Sequence, residues 1–539
     1  MAQGFGPLPL LKDKRTMNFI ARASSQGCLK LISPANDEFG FRISESEDKN
    51  SYTLSSESGH VLSATAGKLA MSIFCEHQVF IYRESADSFL VSSSLELILS
   101  NAEGKISPSL DYFIEYVSCG ATPRVSTPFL GVLYLPPGSE IDYTTMHINL
   151  GKEHDVECPQ FLDVLGNRLR KVITGDQRIA LEYSGGLESS ILLHSLLDIT
   201  GGKNLRLVHL TDFSSGQVDD LKRVRILAAK YNCDLTILDM EDLKPFQIGN
   251  RATVKPNFPH PGLVNIGYIN QSSGFLAAKG SMIFNGAGGD SIFCASPQKG
   301  LPVELLKKWD VVGSIRNVCD ISNYLRSPFM STVVEAVREF RDMESKLNNP
   351  GIHFAEVNHN KEILNSDCLG RDYKFGVPVL PNCKELSGRE RHLNAAINRY
   401  EMRSSPMASF ASQYVYPFLA PDVLSAGLMT PSNKLLKGKI DRYSVRKSAA
   451  DRFNVDEFWY RRKGGVAGLT QRCFSRYKSD LKGFVSDGYL VRSKVVDVDN
   501  VCHLIDQVAA GVVKCPGSLI NLVTANIYML HWRENVHEF

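Results

Sequence analysis

The stretch "RIALEYSGGLESSILLHSLL", residues 178–197, constrains the fold of this chain more than any other. Five residues of strand character run into Ser184-Gly185-Gly186, two further serines follow at positions 189 and 190, and the apolar spacing then becomes helical. A change of period across a bend of small residues predicts a strand that feeds a helix through a tight turn. The same rhythm returns downstream. "LRLVHLTDF" (205–213) reads as a strand, a helix is expected around 219–231, and "CDLTILDM" (233–240) and "SMIFNGAGGD" (281–290) follow as further strands. Apolar runs separated by helices predict an α/β fold with a parallel sheet covered on both faces. From Leu301 onward the pattern is mostly helical and ends in "LINLVTANIYMLHW", where Asn521, Thr524 and Asn526 mark a core helix.

Residues 1 to about 150 read differently. Short strands with turn punctuation, such as "HVLSATAGKLAMSIF" and "HQVFIYRES", predict a β-rich first domain. "YLPPGSEIDYTT" (134–145) reads as its exit and the charged "GKEHDVECPQ" (151–160) as a linker, giving domains 1–150 and 151–539. There is no internal repeat. A net charge of +2 supplies no field to attract nucleic acid or an anionic membrane. No apolar run reaches the roughly 20 residues of a membrane span, and "MAQGFGPLPLLKDKRTMNF" is not expected to act as a signal peptide. The 12 cysteines show no CxxC pair and no Cys/His cluster, so reduced thiols in a cytoplasmic protein are expected, without disulfides or structural zinc.

In an open parallel sheet, ligands bind beyond the carboxyl ends of the strands. A bend of small residues entering a helix there presents unpaired backbone N–H groups, reinforced by the helix dipole. Gly185 and Gly186 permit close approach, Ser184, Ser189 and Ser190 add hydroxyls, and the natural guest is a phosphate or pyrophosphate. Alone, Ser-Gly-Gly reads equally as a tight turn with a serine N-cap. The order strand, S-G-G-L-acid-S-S, apolar helix is more specific. It is neither a Gly-Lys-Ser/Thr phosphate loop nor a GxGxxG fingerprint.

"YSGGLESS" resembles the SGGLDSS pyrophosphate loop of the N-type ATP pyrophosphatases, the superfamily of the asparagine synthetases. "IFNGAGGDSIF" (283–293) resembles that family's strand, G-x-G-x-D, helix segment, "YPFLAPDVLSAGL" (416–428) its PFLD stretch, and "YRRKGGVAG" (460–468) its R-x-K-x-G segment. "TPFLGVLYLPPG" is similar to the end of the family's N-terminal half. The resemblance implies a degenerate, glutaminase-like N-terminal domain of the Ntn type, followed by a doubly wound ATP-pyrophosphatase domain with helical additions. Glutamine-dependent members use an N-terminal cysteine, whereas this sequence begins Met1-Ala2-Gln3, so no ammonia production is expected. An amine carried on the substrate is then needed. "GGDSIFCASPQKG" and "KGKIDRYSVRKSAADRFNVDEFWYRRKGG" resemble segments of the lasso-peptide cyclases, the microcin-type macrolactam synthetases.

That resemblance implies ATP and Mg²⁺ as cofactors, a precursor core peptide as substrate and a leader peptidase as partner. ATP and its pyrophosphate would be bound by Ser184, Gly185, Gly186, Leu187, Glu188, Ser189, Ser190, Gly286, Gly288 and Gly289. Glu188 and Asp290 would bind Mg²⁺, and Lys463, with Asp290, would be catalytic. Glu188 stands where the family has Asp, which displaces the carboxylate by roughly 1.5 Å. Alternatives stay open for each: Glu188 as a first-turn acid, Lys463 as a solvated lysine beside Arg461 and Arg462, and the basic run Lys434, Lys437, Lys439, Arg442, Arg446, Lys447 as a solvated face rather than a leader-peptide or phosphate site. No general base is evident, since Ala287 and Gln413 fall where relatives carry one. The Lys299–Pro302 loop and the C-terminal helices are expected walls of a peptide cavity. An asparagine- or β-lactam-synthetase-like enzyme acting on a small molecule, or an inactive peptide-binding homologue, are the alternatives.

Overall fold

The computed structural model describes residues 20–533 except 25–28, 34–41, 47–50, 57–58, 72–77, 120–124, 136–138, 144, 147, 151–159, 174–177, 214–217, 240–245, 247–254, 261–262, 265–280, 294, 296, 349–362, 370–413 and 461–466. The first part holds two antiparallel sheets. One is ordered Leu29–Ser33, Ile20–Ser24, Ser88–Ser92, Val79–Arg83, Val132–Leu135; the other runs Ile148–Leu150, Ser139–Asp142, Lys68–Met71, Gly59–Thr65, Ser51–Ser56, Arg42–Glu45. Period-two alternation decides what each face meets. Val79, Ile81 and Val91 pack with Leu54, Leu62 and Ile141 between the sheets. Phe80 and Tyr134 point the other way, into a cluster built with helix Leu110–Cys119 and the C-terminal helices. The Pro-Pro-Gly stretch is therefore not an exit. It lies between Val132–Leu135 of one sheet and Ser139–Asp142 of the other, and residues 136–138 themselves fall outside the described residues. The expected linker, 151–159, does so as well.

The second part is built on a parallel sheet of β1 (Arg178–Glu182), β2 (Leu205–Thr211), β3 (Asp234–Asp239), β4 (Ser281–Phe284) and β5 (Tyr414–Val415), in the order β3-β2-β1-β4-β5. Its pairings are all parallel, with Ile179 opposite Leu205 on one side and Met282 on the other. Helix α1 (Leu187–Thr200) follows β1 and is buried from Leu187 to Leu196, the polar Glu188, Ser189, Ser190, His194 and Ser195 included. It stops at Gly201, in the left-handed conformation at φ 62°, whose N–H closes on Leu197 O. Helix α2 (Val218–Lys230) follows β2. Strand order reverses at β1, because β2 lies on one side of it and β4 on the other. The bends leaving β1 and β4 thus stand side by side at the carboxyl end of the sheet, at the switch point where open α/β sheets bind ligands.

The described remainder is mostly helical, as expected, and includes α3 (Leu301–Lys307), α4 (Val311–Leu325), α5 (Phe329–Asn348), α6 (Tyr443–Phe453), α7 (Ala467–Arg476) and α8 (Gly517–Trp532), with a short two-stranded sheet of Leu436–Lys437 and Ile440–Asp441. Leu301 and Pro302 open α3, so the segment expected as a loop at 299–302 is half helix, with Pro302 near its first position. Helix α8 is buried almost throughout and packs on the N-terminal part: Trp532 against Phe129 at 5.1 Å, and Asn521 Nδ2 donating to Val117 O. No helix among the described residues is long and apolar enough to cross a membrane.

Candidate functional site

The bend after β1 holds itself in shape. Gly185 takes φ +75°, a conformation that L side chains rarely adopt. The Gly186 N–H donates to Ser184 Oγ at 3.3 Å, Ser184 Oγ and Ser189 Oγ lie 3.2 Å apart, and Tyr183 OH lies 3.3 Å from Ser190 Oγ. The hydroxyls expected to face a ligand therefore also brace one another. Gly186 is the N-cap of α1, and no side chain caps that end. First-turn N–H groups there lack intrahelical partners, and Leu187, Glu188 and Ser189 belong to that turn.

The bend after β4 faces it closely. A Cβ on Gly286 would stand 3.0 Å from Glu188 Cβ, and one on Gly289 would stand 2.5 Å from Glu188 Cγ. Gly288 has φ +97° and its hydrogen points at Leu419, 2.4 Å from where a Cβ would sit. The small residues of the second loop are needed to admit the start of α1 and the Pro417–Leu419 turn. Asn285 fixes the loop from behind, donating to Glu182 while its Oδ1 accepts from the Ala287 N–H at 2.7 Å.

Glu188 and Asp290 lie together around a guanidinium. Arg442 Nη1 donates to Glu188 Oε1 and, at 2.6 Å, to Asp290 Oδ1, while its Nε donates to Asp441 Oδ2 at 2.6 Å. Glu188 is buried and Asp290 half exposed, so the pair is open to solvent on the Asp290 side. Burial pushes the Glu188 carboxyl up to about 7, with Arg442 pulling it down and Asp290 adding to the rise. Two hard carboxylates around one point fit a divalent cation that takes its other ligands from phosphate and water. Among the described residues no cluster of three or more His, Cys, Asp or Glu is arranged to hold a metal unaided.

The basic run divides. Lys434, Lys437, Lys439 and Lys447 are exposed, whereas Arg446 is 2% exposed. Arg446 pairs with Asp441 at 3.2 Å and donates to the carbonyls of Phe458 and Tyr460. The solvated-face expectation fails for both arginines because each has buried acceptors to satisfy. Asp441 would be raised by burial, yet Arg442 and Arg446 together hold it below the usual carboxylate range.

Sequence reasoning did not single out a second group, which ties the first loop to the start of the R-x-K segment. Arg223 of α2 donates to Gly185 O at 3.4 Å and Glu457 O at 2.9 Å, and its guanidinium lies 3.7 Å from the Tyr460 ring centre. Glu457 Oε1 accepts from Lys230 and Tyr231 at 2.6 and 2.7 Å, and its Oε2 lies 2.8 Å from His194 Nε2. Burial would raise the Glu457 carboxyl, but His194, Lys230 and Tyr231 together draw it down to about 2. Helical spacing offered a partial signal, since Arg223 and Lys230 lie two turns apart on α2. Lys463, with Arg461 and Arg462, lies outside the described residues, as does Gln413. Tyr460, the last described residue before them, is held by Arg223, Arg446 and, through its hydroxyl at 3.1 Å, Asp220.

No family model matches the chain, and no curated protein does. Among solved structures, a U34-tRNA thiolase from Methanococcus maripaludis with its 4Fe-4S cluster aligns at 13% identity over 47% of this chain and 78% of that one, with a TM-score of 0.20. A glutamine-dependent NAD+ synthetase from Acinetobacter baumannii, in complex with adenosine diphosphate, aligns at 11% identity over 49% of this chain and 61% of that one, with a TM-score of 0.19. Similarity at that level carries no argument about the site.

Proposed function

We propose that this chain is an ATP-dependent, AMP-forming amide ligase that closes a macrolactam on a precursor peptide, as the lasso-peptide cyclases do. The observation that carries the reading is the convergence of the bends after β1 and β4 at the point where strand order reverses, with Glu188 and Asp290 around one cation. An uncapped buried helix start suits a polyphosphate, and the Gly185–Gly186 backbone allows it to come close. Bound Mg²⁺, held by Glu188 and Asp290, would neutralise phosphate charge.

In this reading a side-chain carboxylate of the peptide attacks the α-phosphorus of ATP, the bond to the β-phosphate oxygen breaks, and pyrophosphate leaves. The peptide's N-terminal amine then attacks the acyl carbon, AMP departs and the nitrogen releases a proton. Lys463 is assigned to the developing oxyanion, where a fixed ammonium contributes a few kcal/mol. An α-amine has a pKa near 7.7–8.0, so a neutral fraction exists without a dedicated base. Holding the peptide in its closing geometry supplies the remaining rate through effective molarity.

The test is incubation of precursor, leader peptidase, Mg-ATP and this protein, with mass spectrometry and AMP detection. Loss of one water from the core peptide with AMP release is expected. Asparagine from ammonia and aspartate would replace the reading with a small-molecule synthetase. The Arg442 ion pair favours a second reading, a peptide-binding homologue without turnover, and failure of every carboxyl substrate to support ATP–pyrophosphate exchange would select it.

A further inference from the structure

We infer that Arg442 is the resident counter-ion of the Glu188–Asp290 pair and that a divalent cation enters by displacing it, so that Arg442 is a positioning residue for metal entry. This rests on the functional reading above, in which that pair is the metal site. Nη1 lies between the two carboxylates, donating to both, and a cation bound by both would compete with it for the same oxygens. The guanidinium and a divalent ion cannot be there together without strong repulsion at a few ångströms.

The displaced side chain is not left without an acceptor. Its Nε already donates to Asp441 Oδ2 at 2.6 Å, and Asp441 is held from the other side by Arg446 at 3.2 Å. Three carboxyl groups, Glu188, Asp290 and Asp441, face two guanidiniums, so acidic groups outnumber basic ones where a cation would enter. Asp290 is half exposed while Arg442 is largely covered, so the cation approaches from the Asp290 side and the guanidinium retreats toward Asp441.

The retreat has somewhere to be felt. Arg442 sits in the left-handed conformation, φ 54°, at the N-cap of α6, and Arg446 one turn on bonds to the carbonyls of Phe458 and Tyr460. The residue that leaves the metal pair is thus one helical turn from the one that holds the chain just before Lys463. Metal entry and the setting of the R-x-K segment share a single short helix.

The experiment is Mn²⁺ titration of the full chain without nucleotide or peptide, read by the EPR signal of free Mn²⁺. R442Q should bind Mn²⁺ about tenfold or more tightly than the wild type, as removal of a charge-assisted competitor implies, and R442K should stay near the wild type. In R442Q, adding D290N should abolish the gain. Equal or weaker binding by folded R442Q overturns the inference. Because a substitution here can unfold the α6 start, the wild type supplies a second measurement: modification of Arg442 by phenylglyoxal, followed by peptide mass spectrometry. A change of rate on adding Mn²⁺, in either direction, supports displacement, and an unchanged rate refutes it. Neither measurement involves turnover, so absence of ATP–pyrophosphate exchange would defeat the functional reading while leaving these results to stand or fall alone.

Discussion

Gly289→Ala isolates the closeness of the two loops. Gly289 does not have positive φ, so the backbone accepts alanine, and in a helix the exchange gains up to about 1 kcal/mol of propensity. Against this, the new Cβ would lie 2.5 Å from Glu188 Cγ, whereas ordinary contact begins near 3.4 Å. Glu188 must recede by roughly 1 Å, and overpacking of this kind costs about 1–3 kcal/mol. The net expectation in urea unfolding is a loss of about 0–3 kcal/mol, small enough to leave a folded protein. Catalysis should suffer far more, because misplacing a group by about 1 Å can cost 10²-fold. ATP–pyrophosphate exchange is the assay, and Gly517→Ala, with nothing within 4 Å of the new Cβ, is the control. Full exchange activity in folded Gly289→Ala would show that the position of Glu188 is immaterial and would remove it from the metal site.

Other outcomes follow from the same geometry. Asp290→Ala and Lys463→Ala should each abolish dehydration of the precursor in mass spectrometry while leaving the thermal midpoint near that of the wild type. Arg446→Ala takes one of two guanidiniums from buried Asp441 and a donor from each of two carbonyls, and should cost about 3–5 kcal/mol in urea unfolding, with Arg446→Met less damaging. Glu457 is held at about 2 in the folded chain against its ordinary 4.5. Its contribution is complete above about 4.5 and fades as pH falls toward 2, and Glu457→Gln should flatten that acid limb of a stability-versus-pH curve.

Much of the parallel sheet could be read from the chain because its signals are local. The expected strand at 205–213 is Leu205–Thr211, that at 233–240 is Asp234–Asp239, and the helix expected around 219–231 is Val218–Lys230. Both small-residue bends were visible for the same reason, each being written in consecutive residues. Arg442 was not, since two of its three partners lie 254 and 152 positions away and nothing in "KGKIDRYSVRKS" distinguishes a covered arginine from its exposed neighbours. The Glu457 hub was hidden likewise, with partners 226 to 263 residues distant. Tertiary burial, not local pattern, decides which charges are solvated. The strand pair around the Pro-Pro-Gly stretch was misread because a connection between sheets and a domain exit use the same turn residues.

The docking of Gly517–Trp532 on helix Leu110–Cys119 and Phe129 of the N-terminal part bears on how the chain comes off the ribosome. Phe113, Phe129 and Tyr134 belong to a cluster that Tyr528 and Trp532 help to cover. The part of that cluster which Tyr528 and Trp532 cover, around Phe113 and Phe129, therefore stays open through synthesis of nearly four hundred intervening residues. A nascent chain halted short of that helix would carry a greasy, unfinished surface, a natural target for chaperones, and its release would mark the moment at which the two ends of the molecule complete each other.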